Sequence, residues 1–128
     1  MGEDFHGTKP IYLQLVDRIH RQIIRGEIKS GEKLPSVREM AIQSGVNPNT
    51  VQRTYSELER MNTVETRRGQ GTFVTENEVI LSDLRKSLQL DLVREFTVSM
   101  TEMGFTLVEM IEVLKKVAGE EETPNDRV

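Results

Sequence analysis

Four consecutive residues, Gly45-Val46-Asn47-Pro48, restrict the fold of this chain more than any other stretch. Gly45 ends one helix. Asn47 and Pro48 start another, with a capping side chain followed by a ring preset for the first helical turn. A stop and a start this close leave room only for two helices joined by a tight turn. The helix before the turn has its own start at Ser36-Val37-Arg38-Glu39, a capping box, and continues through Met40, Ala41 and Ile42. In the helix after it, Val51, Tyr55, Leu58 and Met61 recur at spacings of four, three and three, which marks one buried face.

The flanking segments complete the pattern. Pro10 opens a helix whose buried face is Tyr12, Leu15, Val16, Ile19 and Ile23, and Gly26 closes it. GEIKSGEKLPS is then a turn-rich connector anchored by Ile28 and Leu34. After the helix-turn-helix, Thr63–Thr66 and Thr72–Thr75 read as strands around Arg67-Arg68-Gly69-Gln70-Gly71, a hairpin with a glycine-bearing tip. Beyond Glu76 the pattern is helical. Leu81, Leu84, Leu88, Leu92, Phe96, Met100 and Met103 repeat at three and four, and Leu90 and Val93 widen the apolar surface. Gly104 breaks this helix, Thr106-Leu107-Val108-Glu109 caps the next, and Leu107, Met110, Ile111, Leu114 and Val117 line one side of it.

The expected fold is mainly α with a small β-hairpin: a winged helix-turn-helix domain followed by two C-terminal dimerisation helices. The expected boundaries are a flexible N-terminus over 1–9, the winged domain over 10–76, the helical dimerisation region over 77–118 and a polar tail over 119–128. At 128 residues the chain is one domain, or one small domain with an appendage. It has no cysteine, which removes disulfides and thiol chemistry and fits a reducing compartment. No apolar run approaches a membrane span and the N-terminus has no signal-peptide core, so a cytoplasmic protein is expected.

The net charge of −4 does not exclude a nucleic-acid partner, because it is unevenly distributed. Residues 1–76 carry eleven Lys and Arg against ten Asp and Glu, whereas residues 77–128 carry six against eleven. The polar start of the helix after the turn has a matching chemistry. Such a helix enters the major groove with its N-terminal residues at the base edges. Asn47, Asn49, Thr50, Gln52 and Arg53 are then placed to meet DNA, Asn and Gln suiting adenine and Arg suiting guanine. Arg67 and Arg68 at the hairpin tip suit a minor groove and its phosphates. The plainer reading is a well-capped solvated helix and a solvated turn. Their joint occurrence in one frame favours DNA. His6 and His20 have no partner at metal-ligand spacing, so no metal is expected. No nucleophile–base pair or phosphate loop is present in the sequence, so neither catalysis nor a cofactor is expected.

The stretch from Gly26 to Val74 resembles the DNA-binding domain of the GntR family of bacterial transcription regulators, over residues ~10–75. The resemblance implies a winged helix-turn-helix in which the arginine of the PSxRE segment, Arg38, contacts DNA beside Ser36. It makes 47–57 the recognition helix and the RRGQGTFV stretch the wing, with Arg67, Arg68, Gly69, Gln70, Gly71 and Thr72 at the duplex. Pro48 and Gln52 stand where some relatives have arginine, so base preference does not carry over. The short helical segment after the wing resembles the YtrA-type subfamily, which implies a dimerisation tail and repression of operons, often for transporters.

The apolar stripe supports a dimer independently, because two helices cannot bury so many apolar side chains against so small a domain. The expected partners are a palindromic double-stranded DNA operator and a second copy, without a membrane. Met100, Met103 and Met110 can also line a flexible pocket for a small-molecule effector. Two other readings are a helical protein-interaction module without specific DNA binding and an effector sensor with its pocket in the helical tail.

Overall fold

The computed structural model describes Phe5 and residues 7–121. The elements are α1 (Ile11–Ile24), α2 (Val37–Ser44), α3 (Pro48–Arg60), β1 (Val64–Arg67), β2 (Gly71–Val74), α4 (Glu78–Glu102) and α5 (Leu107–Glu121). This is the mainly helical winged helix-turn-helix expected from the sequence. Two compact units divide at Arg85, inside α4.

The first unit is built on α1, α2 and α3. Pro10 stands one position before the helix, where its carbonyl accepts from the N–H groups of Leu13 and Gln14, both at 3.1 Å. Leu15, Val16, Ile19 and Ile23 of α1 meet Val51, Tyr55 and Leu58 of α3 in one core, closed by Leu34, Met40, Ala41, Val64 and Val74. Each fully buried aliphatic side chain here contributes roughly 1.5–3 kcal/mol. Tyr12 is only partly buried. Met61 is 38% exposed because it is the C-cap of α3 rather than part of its inner face.

The wing is larger than its two strands. β1 and β2 pair antiparallel with Val64 opposite Val74 and Arg67 opposite Gly71. The connector after α1 adds a third edge: Leu34 N–H donates to Thr72 O at 2.8 Å, Val74 N–H to Glu32 O at 2.9 Å, and Gly31 N–H to Val74 O at 2.9 Å. An isolated bridge joins Lys33 to Phe73. The segment expected to be a plain connector therefore ties the hairpin to the helical core.

The ends also differ from expectation. Phe5, within the N-terminus expected to be flexible, packs on the core, with the Arg18 guanidinium carbon 5.0 Å from its ring centre. Residues 1–4 and 6, including His6, lie outside the described residues, as does the polar tail from 122 onwards. Residues 119–121 are not tail but the last turn of α5. The first unit continues beyond Glu76 to Arg85, because Leu81 packs on its core and Leu84 is buried. α4 begins at Glu78, just past Glu76 where the helical pattern is expected to start, with the Asn77 side chain accepting from the N–H groups of Val79 at 2.9 Å and Ile80 at 3.3 Å.

In the second unit, Gly104 turns the chain at φ +89°. The capping box then starts α5: Glu109 N–H donates to Thr106 Oγ1 at 3.2 Å, and Thr106 N–H to the Glu109 carboxylate at 2.9 Å.

Candidate nucleic-acid interface

The helix-turn-helix is set by caps. Glu39 N–H donates to Ser36 Oγ at 3.1 Å and Ser36 N–H donates back to the Glu39 carboxylate at 2.9 Å. The Ser36 backbone N–H, and after it the Ser36 side chain, hold the Glu39 carboxyl below its ordinary range. Ser36 is thus occupied as a cap, and Arg38, one residue into α2, is exposed with no ion pair or hydrogen bond among the described residues. Gly45 has φ +67°, the left-handed conformation that glycine adopts at no steric cost. Asn47 caps α3 by accepting from Asn49 N–H at 2.7 Å, and Pro48 occupies the first turn.

One face of α3 is spent on the core. Val51, Thr54, Tyr55 and Leu58 are buried. The Tyr55 hydroxyl donates to Pro35 O at 2.7 Å, and burial, with the Glu39 charge, pushes its ionisation well above the ordinary tyrosine range. It is a neutral strut between α3 and the segment before α2. The opposite face carries Asn49, Gln52, Arg53 and Ser56, all exposed. Asn47 and Pro48 are exposed beside them, while Thr50 is partly buried. Ser56 is a member of this face that the sequence reading misses. Its position seven residues after Asn49 puts it on the same side, and that spacing is the available signal. Further along, Arg60 bonds the Glu57 carboxylate through Nε at 3.1 Å and through a second, shorter contact. That pairing holds the Glu57 carboxyl below its ordinary range.

The two wing arginines are not equivalent. Arg67 donates to the Glu65 carboxylate at 2.9 Å, and its guanidinium carbon lies 4.1 Å from the Phe73 ring centre. It is partly buried on the hairpin. Arg68 is exposed at the tip with no ion pair or hydrogen bond among the described residues. Next to it Gly69, at φ +75°, takes a conformation that side chains rarely allow, with open space where a Cβ would point. Gln70 N–H closes the turn on Arg67 O at 2.8 Å. At Gly71, φ is +122° and a Cβ would come within 2.6 Å of the Lys33 side chain. Thr72 is partly buried and pairs with Leu34 through its carbonyl.

The residues assigned to a dimer seam fall into two groups. Leu84 and Met110 are buried within the single chain and Leu81 packs on the winged core, so these three need no second copy to be covered. Leu88, Phe96 and Met100 are partly buried, whereas Leu92, Met103, Leu107, Ile111 and Leu114 are exposed. Met110 is the only buried residue of α5. A cavity of about 370 Å³ in the second unit is lined by Leu92, Val93, Phe96, Thr97, Leu107, Met110, Ile111 and Leu114.

His20 is a core residue, which its sequence context does not reveal. It is 1% exposed, with Nε2 3.2 Å from Thr63 Oγ1. Burial lowers its pKa to about 4, against a small opposing pull from Asp17. It is a neutral packing group. Among the described residues no cluster of His, Cys, Asp and Glu could hold a metal, and no helix is long and apolar enough to cross a membrane.

Known proteins share this arrangement. The family described as "bacterial regulatory proteins, gntR family" matches residues 11–74. The chain is 52% identical over 115 residues to the uncharacterized HTH-type transcriptional regulator YhcF of Bacillus subtilis strain 168, covering 90% of this chain and 95% of that one. It is 33% identical over 118 residues to the HTH-type transcriptional repressor YtrA of the same organism, over 91% of each chain. Among solved structures, a GntR family transcriptional regulator from Listeria monocytogenes matches with a TM-score of 0.83 at 38% identity, over 88% of this chain and 98% of that one.

Proposed function

Because this chain belongs to the GntR family of bacterial regulatory proteins, and within it to the YtrA-type subfamily, we propose that it is a cytoplasmic, dimeric repressor that reads a palindromic operator. The chain is a DNA-binding transcriptional regulator and not an enzyme. Operator reading is carried by the solvent face of α3. Asn49, Gln52 and Ser56 on this face are exposed, and Arg53 beside them rests on the Tyr12 ring with its N–H groups outward, so the hydrogen-bonding capacity of the face is left for a ligand. Base edges in a major groove supply the complementary donors and acceptors. The unpaired Arg38 and Arg68 supply phosphate and minor-groove contacts on either side in sequence.

The second copy is proposed from the apolar side chains that the single chain leaves in water. Leu92, Leu107, Ile111 and Leu114 are exposed around one apolar cavity, a clustered patch of the kind that marks an interaction surface. A two-fold partner buries the same patch on both chains. It also presents two α3 helices to half-sites roughly 34 Å apart, or a multiple of that. Regulation of a transporter operon is carried over from the subfamily alone.

Two substitutions separate reading from anchoring. Gln52→Ala is expected to cost about 1–3 kcal/mol on the operator and little on unrelated duplex. Equal losses on both, in parallel titrations, would remove Gln52 from base reading. Arg38→Ala is expected to weaken all duplexes alike and to lower the slope of log K against log salt by about 0.9 for each phosphate it neutralises. An unchanged slope would leave Arg38 without its phosphate role.

A second reading, an effector sensor, is favoured by the apolar cavity of about 370 Å³ between α4 and α5. Melting-temperature shifts across a panel of small apolar compounds test it, and no shift with any of them counts against it.

A further inference from the structure

We propose that Tyr12 is a positioning residue for DNA binding, holding Arg53 as a clamp on a DNA phosphate at the groove edge rather than as a reader of bases. The proposal rests on the DNA-binding reading above. The Arg53 guanidinium carbon lies 4.0 Å from the Tyr12 ring centre, a stacked contact between the first turn of α1 and the exposed side of α3. The next residue anchors the same neighbour: the single Thr54 hydroxyl proton is shared between Tyr12 O at 3.1 Å and Thr50 O at 2.9 Å. The start of α1 therefore lies against the side of α3 that carries positions 53 and 54. Successive residues turn about 100° round a helix, so Gln52 points away from Tyr12, with Asn49 and Ser56 between Gln52 and Arg53. The stack draws Arg53 off the centre of the polar face towards its flank.

The other charged residues of this helix, Glu57, Glu59 and Arg60, leave Arg53 available. Both Glu57 oxygens are taken by Arg60, and Arg53 has no ion pair among the described residues. A guanidinium with one face on an aromatic ring keeps its N–H edge free and fixed in direction. That edge matches two phosphate oxygens at once. Reaching a base edge instead requires giving up the ring. The base-reading positions are then Asn49, Gln52 and Ser56, and Arg53 supplies affinity without sequence preference.

The experiment is a set of titrations of the full chain, wild type and variants, against an operator duplex recovered by selecting genomic fragments on the purified protein and against a scrambled duplex of equal length, from 50 to 200 mM salt. Arg53→Gln is expected to weaken both duplexes by the same factor and to lower the salt slope by about 0.9 per chain bound. At that slope the advantage of the wild type shrinks roughly threefold across the salt range for each chain bound. Tyr12→Phe, which keeps the ring, is expected to retain the wild-type slope. Tyr12→Leu is expected to weaken both duplexes alike, and to add nothing in an Arg53→Gln background. An Arg53→Gln loss confined to the operator, with the slope unchanged, makes Arg53 a base reader and overturns the proposal. So does a Tyr12→Leu loss of the same size with and without Arg53. Arg53 is exposed, so its variant remains informative if Tyr12→Leu fails to fold. A wild type with no salt-dependent binding to either duplex instead removes the DNA-binding reading on which the proposal rests.

Discussion

On the proposed dimer, replacing Leu107 and Leu114 together by glutamate is expected to leave a monomer and to cut operator affinity by about 100-fold or more. The two positions are seven apart on α5, with Ile111 between them, so they share one helix face. They are 66% and 51% exposed in the single chain, so most of what the substitutions remove is solvent-facing apolar surface rather than packing within the second unit. Their apolar surface gains free energy only against a partner. Four added charges per dimer at that seam oppose association twice over, by lost burial and by repulsion. The affinity loss follows because each half-site is then bound independently, without the effective concentration that linkage provides. Sedimentation equilibrium and operator titration check the two halves separately. A helical, monomeric variant with undiminished operator affinity would show that half-site pairing does not depend on this face. A variant that stays dimeric places the interface elsewhere.

Acidification from pH 7.5 to 5 is expected to destabilise the wild type by about 2 kcal/mol, with His20→Asn largely insensitive over that interval. The sign follows from the direction of the shift. The folded pKa of His20 is lowered to about 4 from an ordinary value of 6.5. Above the unfolded value both states hold neutral imidazole and the stability is complete. As pH falls below it, the unfolded chain takes up the proton while the buried ring next to Thr63 does not. Stability is lost progressively until the folded pKa is reached, on the order of 3 kcal/mol in all. Glu39 and Glu57 titrate in a different window. Their folded carboxyls are held low, so what they contribute is present above the ordinary carboxylate range and is lost below it. The interval from pH 7.5 to 5 therefore isolates the histidine. Urea midpoints at fixed protein concentration measure it, and an equal loss in wild type and His20→Asn assigns the pH dependence to other groups.

Much of the fold is legible in the sequence because its signals are local. The capping box at Ser36 and Glu39, the left-handed Gly45 and the Asn47-Pro48 start each act within four residues, and each appears where the sequence places it. The same holds for Thr106 and Glu109 at α5. The polar positions of α3 are legible from the same cause, since helical spacing alone sorts Val51, Tyr55 and Leu58 from Asn49, Gln52 and Arg53. Ser56 follows from that spacing as well, although its small hydroxyl draws less notice than the amides beside it.

What the sequence by itself determined is the list of elements, their caps and turns, and which face of each recognition element is polar. Only the tertiary structure decided which side chains those elements spend on one another. His20 meets Thr63 across 43 residues, and Thr54 meets Tyr12 across 42. The connector at Glu32 and Leu34 becomes the third edge of the wing only because β2 lies beside it. Arg67 is held by Glu65 and Phe73 while its neighbour Arg68 is left in solvent, a distinction that identical residues in one loop do not display. Leu84 is covered and Leu92 is not, although both belong to one apolar stripe, and the same holds for Met110 and Leu107 on the next helix. The physical reason is the range of the forces involved. Backbone preferences and caps act between residues a turn apart and are written in adjacent letters. Burial depends on which distant surfaces the closed chain brings together, and periodicity records only that a face is apolar, not what will cover it.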